Sequence, residues 1–147
     1  MTFSTQRRVE FRDTDAAGIV HFSAFFPMME AAEHELLRSL GIPVYPTPAA
    51  GPEALTWPRV AASCDYVAAA RFEDILRISV EVAKIGSTSV QYSFRFTRDD
   101  QLVAQGRMTS VCCRLAAGRS SSPGQFSGGL EKTPIPDAIR DLLAKHS

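Results

Sequence analysis

The sequence lacks the features that mark several large classes of protein. It has no apolar run near the roughly 18 to 20 residues that a membrane helix needs, and its N-terminus lacks the charged-then-apolar layout of a secretory signal. No run of Lys or Arg is longer than Arg7-Arg8, and 16 basic residues balance 16 acidic ones, so the basic surface of a nucleic-acid-binding protein is missing. We therefore predict a cytoplasmic protein that binds neither nucleic acid nor membrane.

Residues that commonly carry chemistry are also scarce. Three cysteines, including the neighbours Cys112 and Cys113, form no disulfide framework, and we expect free thiols that are buried or half-buried. The three histidines, His21, His34 and His146, are too scattered to predict a metal site. The motifs G-x-S-x-G, H-E-x-x-H and G-x-x-x-x-G-K-[ST] do not occur. Any catalytic group must therefore come from elsewhere in the chain.

The chain does have enough apolar material for one compact domain over residues 1–147. It is 45% hydrophobic, which suits a core of ordinary size. The clearest strand covers 76–83, where apolar and polar residues alternate, and the same alternation over 90–97 predicts its antiparallel neighbour. Further extended segments are predicted over 3–12, 57–70 and 102–115, the second with Val60, Ala62, Cys64 and Tyr66 on one face. Five strands can form a sheet with one buried face.

One long helix is available to cover that face. Five apolar residues recur at spacings of four, three, four and four and so share one stripe, namely Phe25, Met29, Ala32, Leu36 and Leu40. Pro27 fits only a first turn, so the helix should begin between Ser23 and Phe26, and Gly41 should end it. A surface loop is predicted over 117–134, followed by a short closing helix from Pro136 or Asp137.

The connection between the first strand and the helix holds the candidate chemistry. It reads FRDTDAAGIVHFSAFF over residues 11–26, and Gly18 permits backbone angles that other residues avoid. The first helical turn offers unpaired N–H groups to a carbonyl oxygen that becomes an oxyanion, and a carboxylate placed just before it can face the same carbonyl. A carboxylate and N–H groups placed in this way suit cleavage of a thioester, because a thiolate is a good leaving group. The alternative is that Asp13 and Asp15 only shape the turn and cap the helix.

A family resemblance favours the first alternative. DTDAAGIVHFSAFF followed by MMEAAEHELLRSLGI resembles the signature of the 4-hydroxybenzoyl-CoA thioesterase branch of the hotdog-fold superfamily. The segments YVAAARFEDILRISVEVAKIGSTSVQYSFRF and TPIPDAIRDLL are similar to the family's strand block and closing segment, so the resemblance covers most of the chain except 43–56 and 117–131. It implies an α+β hotdog fold, in which a curved antiparallel five-stranded sheet wraps around one long central helix. It also implies hydrolysis of acyl-CoA by a homodimer or dimer of dimers with sites at subunit interfaces.

The resemblance further implies roles for individual residues. Asp15, three residues before Gly18, matches the family's catalytic carboxylate, and both a nucleophile and a general base remain open. Phe22 matches the residue whose backbone N–H polarises the thioester carbonyl, with Gly18 and His21 in the adjoining backbone. Relatives carry His or Tyr at the position of Phe22, whereas here the histidine is one residue earlier. Glu30 matches a buried structural acceptor, and Asp13 is expected to bond backbone in the turn. No metal or separate cofactor is implied, since coenzyme A is part of the substrate.

Contacts with the substrate are predicted farther along the chain. Trp57 and Ser63 lie on the strand that should line the acyl pocket, and the aromatic residues near the site favour an aryl or medium-chain acyl group. The turn IGSTS lacks the basic residues that some relatives use against the CoA phosphates. Lys84, Arg114 and Arg119 are the candidates to replace them.

Two other functions remain open at this point. HFSAFFPMMEAAE has a histidine, a phenylalanine and a helix glutamate like those of hotdog acyl dehydratases, although the Pro-Gly that follows the His-Phe pair in those enzymes is missing. A protein that keeps the fold and binds acyl-CoA without turnover is the second alternative.

Overall fold

The computed structural model describes residues 2–44, 54–115 and 129–147. These ranges contain two helices and eight strands in the order β1 (Phe3–Arg8), α1 (Phe25–Ser39), β2 (Leu55–Thr56), β3 (Arg59–Tyr66), β4 (Ile75–Ile85), β5 (Ser89–Arg98), β6 (Gln101–Val111), β7 (Cys113–Leu115), β8 (Leu130–Lys132) and α2 (Asp137–Ala144). Five strands form an antiparallel sheet in the order β1-β4-β5-β6-β3, and β2, β7 and β8 form a smaller one. The predicted arrangement of one long helix against a curved five-stranded antiparallel sheet is confirmed.

The core lies between α1 and one face of the large sheet. On β4 and β5 the apolar members of both predicted alternations are buried, namely Leu76, Ile78, Val80, Val82, Val90, Tyr92, Phe94 and Phe96. The helix begins and ends close to the predicted positions, and its stripe is buried from Phe25 to Leu36, with Leu40 half-buried. Gly106 of β6 permits the close approach of the helix, because a Cβ there would collide with Met29 Sδ and come within 2.8 Å of the Ser63 carbonyl oxygen.

The first strand is shorter than predicted. It ends at Arg8, and residues Phe11–Asp13 form a 3-10 turn instead of continuing the strand to residue 12. The reason is local, since the Asp13 carboxylate accepts a hydrogen bond from the Glu10 N–H at 2.9 Å and the Glu10 side chain caps the turn in return. Asp13 thus bonds backbone in the turn, as predicted.

The extended segment predicted over 57–70 contains β3, but the face that carries Val60 and Tyr66 is not buried in the single chain. Val60 and Tyr66 are 62% and 48% exposed, and Cys64 is only half-buried. Within the described ranges, β3 lies at the edge of the sheet with β6 as its one strand neighbour, and a register shift interrupts the pairing between Arg59 and Ala61. Alternation in sequence cannot distinguish an edge strand from a central one.

The C-terminal part differs from the prediction in two places. The predicted strand 102–115 is interrupted at Cys112 into β6 and β7. The predicted surface loop contains β8, whose residues pair with β7, while residues 117–128 lie outside the described ranges. The closing helix begins at Asp137, as predicted. The cysteines are free, with Cys112 and Cys113 buried. No helix within the described ranges is long and apolar enough to cross a membrane.

A buried acidic residue connects α1 to the edge strand. Glu33 is 1% exposed, and its carboxylate accepts a hydrogen bond from the Arg59 guanidinium at 2.6 Å. Glu30, which the sequence predicted as the buried acceptor, is about half exposed and pairs with the same guanidinium at 3.2 Å. The buried acceptor is therefore Glu33, because three more residues of helix rotation turn the side chain toward the sheet.

The tight approach at Gly106 generates a prediction about stability. We expect Gly106→Ala to lower the free energy of unfolding by about 1–3 kcal/mol, because the added methyl group forces Met29 or the β3 backbone to move. Urea denaturation measures this change. Gly129→Ala is the matched control, since nothing lies within 4 Å of its Cβ position. Equal unfolding midpoints for the two variants would contradict the close approach.

The buried Glu33 carboxyl generates a second prediction. Burial raises its pKa from 4.5 to about 7, against the opposing effect of Arg59. Because the pKa is raised on folding, the stabilising contribution is complete below about pH 4.5 and is lost as the pH rises through about 7, a difference of about 3 kcal/mol at most. We expect Glu33→Gln to remove this loss between pH 5 and pH 8 in urea denaturation.

The exposed partner of the same arginine supplies the control for that experiment. Glu30→Gln also removes a carboxylate from Arg59, but from a residue that is about half exposed. It should keep the pH dependence of the wild-type protein. If Glu33→Gln lost as much stability as the wild type between pH 5 and pH 8, the Glu33 carboxyl would not be the titrating group.

Candidate active site

The segment between β1 and α1 is a closed loop attached to the end of β3. Antiparallel bridges join Thr14 to Val20 and Ile19 to Arg71, and the Val20 N–H donates to the Ala70 carbonyl at 2.8 Å. Gly18 has a φ of +79°, a conformation that side chains disfavour, and its N–H donates to the Asp15 carbonyl at 3.0 Å. The loop therefore has a fixed shape in which the Gly18 N–H is already used.

The two oxygens of the Asp15 carboxylate have different surroundings in this loop. Its Oδ1 accepts hydrogen bonds from the Ala17 N–H at 2.8 Å and the Ile19 N–H at 3.4 Å, which is the turn-shaping arrangement of an aspartate. No described residue donates to Oδ2, and Asp15 lines a pocket. Asp15 can therefore shape the turn through Oδ1 while Oδ2 stays available to a substrate.

One backbone N–H is left free at the start of the helical segment. A 3-10 turn over Phe22–Ala24 leads directly into α1. The His21 N–H donates to the Asp13 carbonyl at 2.7 Å, and the Ser23 N–H donates to the His21 ring at 3.2 Å. The Phe22 N–H has no acceptor among the described residues. Of the three backbone positions predicted around the oxyanion, only Phe22 therefore has an available donor.

The His21 side chain belongs to a different surface. Its Nδ1 lies 2.7 Å from Ser23 Oγ, and its ring stacks on Phe22 with centroids 4.4 Å apart. His21 lines a groove of about 840 Å³ on the other side of the segment, together with Arg8 and Arg12, and does not line the Asp15 pocket. The imidazole caps the turn and is separated from the carboxylate.

The pocket at Asp15 is mostly apolar and has a volume of about 310 Å³. Its lining combines the loop, the helix start and the end of β3, namely Asp15, Ile19, Val20, Phe22, Phe25 and residues 66–70. Phe25 is buried, whereas the Phe22 ring is 62% exposed at the rim. Asp15 and Phe22, whose N–H has no acceptor among the described residues, therefore line the same mostly apolar cavity.

The predicted acyl-pocket residues do not line this cavity in the single chain. Trp57 is buried just before the start of β3, and its Nε1 has no hydrogen-bond partner in the part of the chain that the structure describes. Ser63 is exposed in the middle of β3 and borders a polar groove with Arg95 and Arg107. The pocket lies at the other end of β3, beside Tyr66. The prediction failed to specify which end of the strand meets the helix start.

The predicted phosphate-binding residues also lie away from the pocket of the same chain. Lys84 is near the end of β4, roughly 30 Å along the strand from the end that adjoins the Asp15 loop. Arg114 lies in the small sheet and pairs with Glu131 at 3.1 Å, and Arg119 is outside the described ranges. Arg71, an exposed residue whose backbone bridges Ile19, lies beside the loop.

Tyr66 is the pocket residue that the sequence did not single out. Its hydroxyl donates a hydrogen bond to the Phe22 carbonyl at 2.8 Å across 44 residues of sequence. In the sequence it was one of four residues on one face of an extended segment. Because that segment was predicted to run to residue 70, the sequence carried no signal that Tyr66 ends the strand beside the pocket.

No group of three or more His, Cys, Asp or Glu side chains in the described part of the chain is placed to hold a metal ion. The groups that can act at the pocket are the Asp15 carboxylate, the Phe22 N–H and the Tyr66 hydroxyl.

Comparison with known proteins places the chain in a family. The model of the thioesterase-like superfamily matches residues 9–143. A 1,4-dihydroxy-2-naphthoyl-CoA hydrolase from Nostoc punctiforme is 30% identical over 115 residues, which are 76% of this chain and 74% of that protein. The acyl-CoA thioesterase YbgC from Haemophilus influenzae is 26% identical over 113 residues, 77% of this chain and 82% of that one.

The fold is shared with solved structures as well. The crystal structure of a 1,4-dihydroxy-2-naphthoyl-CoA thioesterase from Synechocystis superposes with a TM-score of 0.80 at 24% identity, covering 98% of this chain and 96% of that one. A likeness at this identity shows the fold, and the family match shows the relationship. The resemblance inferred from the motifs is thereby confirmed, and the chain belongs to the thioesterase-like superfamily.

Proposed function

We propose that this protein hydrolyses acyl-CoA thioesters to a free acid and coenzyme A. The observation that carries the proposal is that Asp15 and Phe22 line the same mostly apolar pocket, while the Phe22 N–H has no acceptor among the described residues. The relatives named as CoA thioester hydrolases support the same reaction. The pocket needs no separate cofactor for it.

Two routes use these groups. In the first, an Asp15 oxygen bonds to the thioester carbonyl carbon, the C–S bond breaks, coenzyme A leaves as thiolate, and water hydrolyses the resulting anhydride. In the second, Asp15 takes a proton from a water molecule whose oxygen attacks the same carbon, the C–S bond then breaks, and coenzyme A leaves as a thiol that takes up this proton. In both, the negative charge on the carbonyl oxygen is stabilised by the Phe22 N–H at the helix start.

The pocket walls favour an aryl or medium-chain acyl group. The lining is apolar apart from Asp15 and Tyr66, and residues 68–70 are alanines that leave room for a flat group. A volume of about 310 Å³ suits a compact acyl group better than a long chain. Phe22, at the exposed rim, can contact an aromatic ring.

A homodimer through β3 would complete the site. The outer edge of β3 has no strand neighbour among the described residues, and Val60 and Val67 beside it are 62% and 56% exposed. Antiparallel pairing of two copies of β3 would bring the start of the second copy's strand next to Tyr66. That start follows Trp57 in sequence, so the predicted acyl-pocket segment would reach the Asp15 pocket from the neighbouring subunit.

The dehydratase alternative lacks the arrangement it needs. Its chemistry requires a histidine base facing the same substrate as a carboxylic acid. Here the His21 Nδ1 caps the turn at Ser23, and the ring lines a different groove from Asp15. The helix glutamate Glu30 points to Arg59 instead. The non-catalytic alternative is separated from hydrolysis by the experiment below.

Removing the carboxylate charge tests the proposed reaction. We expect Asp15→Asn to lower kcat by at least about 100-fold on the best ester, since both routes require the carboxylate. Thiol release measures turnover across benzoyl-CoA, octanoyl-CoA and palmitoyl-CoA, with the first two preferred. Asp141→Asn, which removes an exposed carboxylate from α2, should keep wild-type kcat.

The outcomes separate the alternatives. Turnover by Asp15→Asn equal to that of the wild type would remove Asp15 from the chemistry. Tight binding of every ester without thiol release would favour a binding protein, and hydration of an enoyl-CoA would favour a dehydratase. Rapid-quench mass spectrometry that finds an acyl group on Asp15 distinguishes the nucleophilic route from the general-base route.

The dimer proposal has its own test. Sedimentation equilibrium should give twice the 16.1 kDa chain mass for the wild type. We expect Val60→Lys to shift the protein toward monomer and to lower kcat/KM, because a charge at the strand edge opposes pairing. Ile75→Lys, on an exposed residue at the β1 side of the sheet, is the control. A monomeric wild type with full activity would refute the interface.

A further inference from the structure

Among the described residues, one side-chain hydrogen bond connects the end of β3 to the turn that precedes α1. The Tyr66 hydroxyl donates to the Phe22 carbonyl oxygen at 2.8 Å. Both residues line the Asp15 pocket, so the bond lies at its wall. The sequence of the turn alone does not determine this contact, because its two partners are 44 residues apart.

The tyrosine ring is held by the core on one side and is free on the other. Its centroid lies 5.5 Å from that of Phe25, which in turn contacts Phe96 edge-on at 5.1 Å. Burial first, and then the neighbouring Cys64 and Asp65, raise the pKa of the Tyr66 hydroxyl above its usual value. The hydroxyl therefore stays protonated and donates at neutral pH.

The polar groups of the turn around Phe22 are almost all used. The His21 N–H donates to Asp13, the His21 carbonyl accepts from the Ala24 N–H at 2.9 Å, and the Ser23 N–H donates to the His21 ring. The Phe22 carbonyl accepts from Tyr66. What remains is the Phe22 N–H, which has no acceptor among the described residues.

We propose that Tyr66 is a positioning residue that fixes the direction of the Phe22 N–H toward the thioester oxygen. The inference rests on the proposed hydrolysis and adds a residue to its machinery. With its carbonyl tied to β3 and the flanking peptides tied within the turn, Phe22 cannot rotate about its backbone bonds. Tyr66 affects the orientation of the N–H without contacting its peptide group. The carbonyl that Tyr66 bonds belongs to the peptide bond after Phe22, whereas the N–H belongs to the peptide bond before it. An oxyanion donor is useful only if its direction is set before the charge develops.

The test removes the hydroxyl and keeps the ring. We expect Tyr66→Phe to lower kcat by about 10- to 100-fold on the best CoA ester, with KM changed by less than about 2-fold, because a misdirected donor affects the transition state more than substrate binding. Tyr92→Phe, which removes a hydroxyl from the buried centre of β5, should keep wild-type kcat. Sedimentation confirms that the oligomeric state is the same in both variants.

Hydrogen exchange supplies a readout that is independent of activity. In Tyr66→Phe the Ser23 and Ala24 amides should exchange faster than in the wild type, since the turn loses its contact with β3. Unchanged kcat, or a higher KM with unchanged kcat, would overturn the inference. A lower kcat with unchanged exchange would also overturn it, because the hydroxyl would then act on the substrate directly.

Failure of the proposed hydrolysis would give a different pattern of variant activities from failure of the Tyr66 role alone. If the wild type and Asp15→Asn showed the same absence of thiol release, hydrolysis itself would be refuted, and the positioning role with it. If the wild type hydrolysed esters, Asp15→Asn did not, and Tyr66→Phe matched the wild type, hydrolysis would stand and only the role of Tyr66 would be lost.

Discussion

The burial of α1 against the large sheet determines where the helical segment begins, and the candidate site depends on that beginning. Phe25, Met29, Ala32 and Leu36 are buried against the sheet, and the glycine at position 106 lets the helix approach β6 closely. A helix leaves its first N–H groups unpaired wherever it starts. Because packing fixes the start, Phe22, whose N–H has no acceptor among the described residues, lines the same pocket as Asp15.

The helix is also tied to the edge strand β3 at both ends of that strand. At the start of β3, Arg59 bonds the buried carboxylate of Glu33, and at its end Tyr66 bonds the carbonyl of Phe22. An edge strand has fewer backbone partners than a central one, so side-chain contacts have more influence on its position. The pocket lies at the Tyr66 end, where the Asp15 loop is attached through the backbone of Ala70.

Much of the fold could be predicted because the relevant signals are local. The alternation on β4 and β5, the stripe from Phe25 to Leu36 and the glycine after the helix each report burial or termination within a few residues. The predictions failed where pairing or burial depends on elements that are distant in sequence. The edge position of β3 left Val60 exposed, pairing with β7 made a strand of residues 130–132, and rotation toward the sheet buried Glu33 in place of Glu30.

For the site, the sequence by itself determined a connection that contains Asp15 and Gly18 and ends at Phe22, just before the helix, since all three lie within eight residues and depend on local backbone geometry. Only the tertiary structure decided which N–H remains free, which walls the pocket has and that His21 faces another groove. The contact of Tyr66 with Phe22 depends on the order of strands in the sheet. Residue spacing along the chain carries no information about that order, because long-range pairing is set by the packing of the whole core.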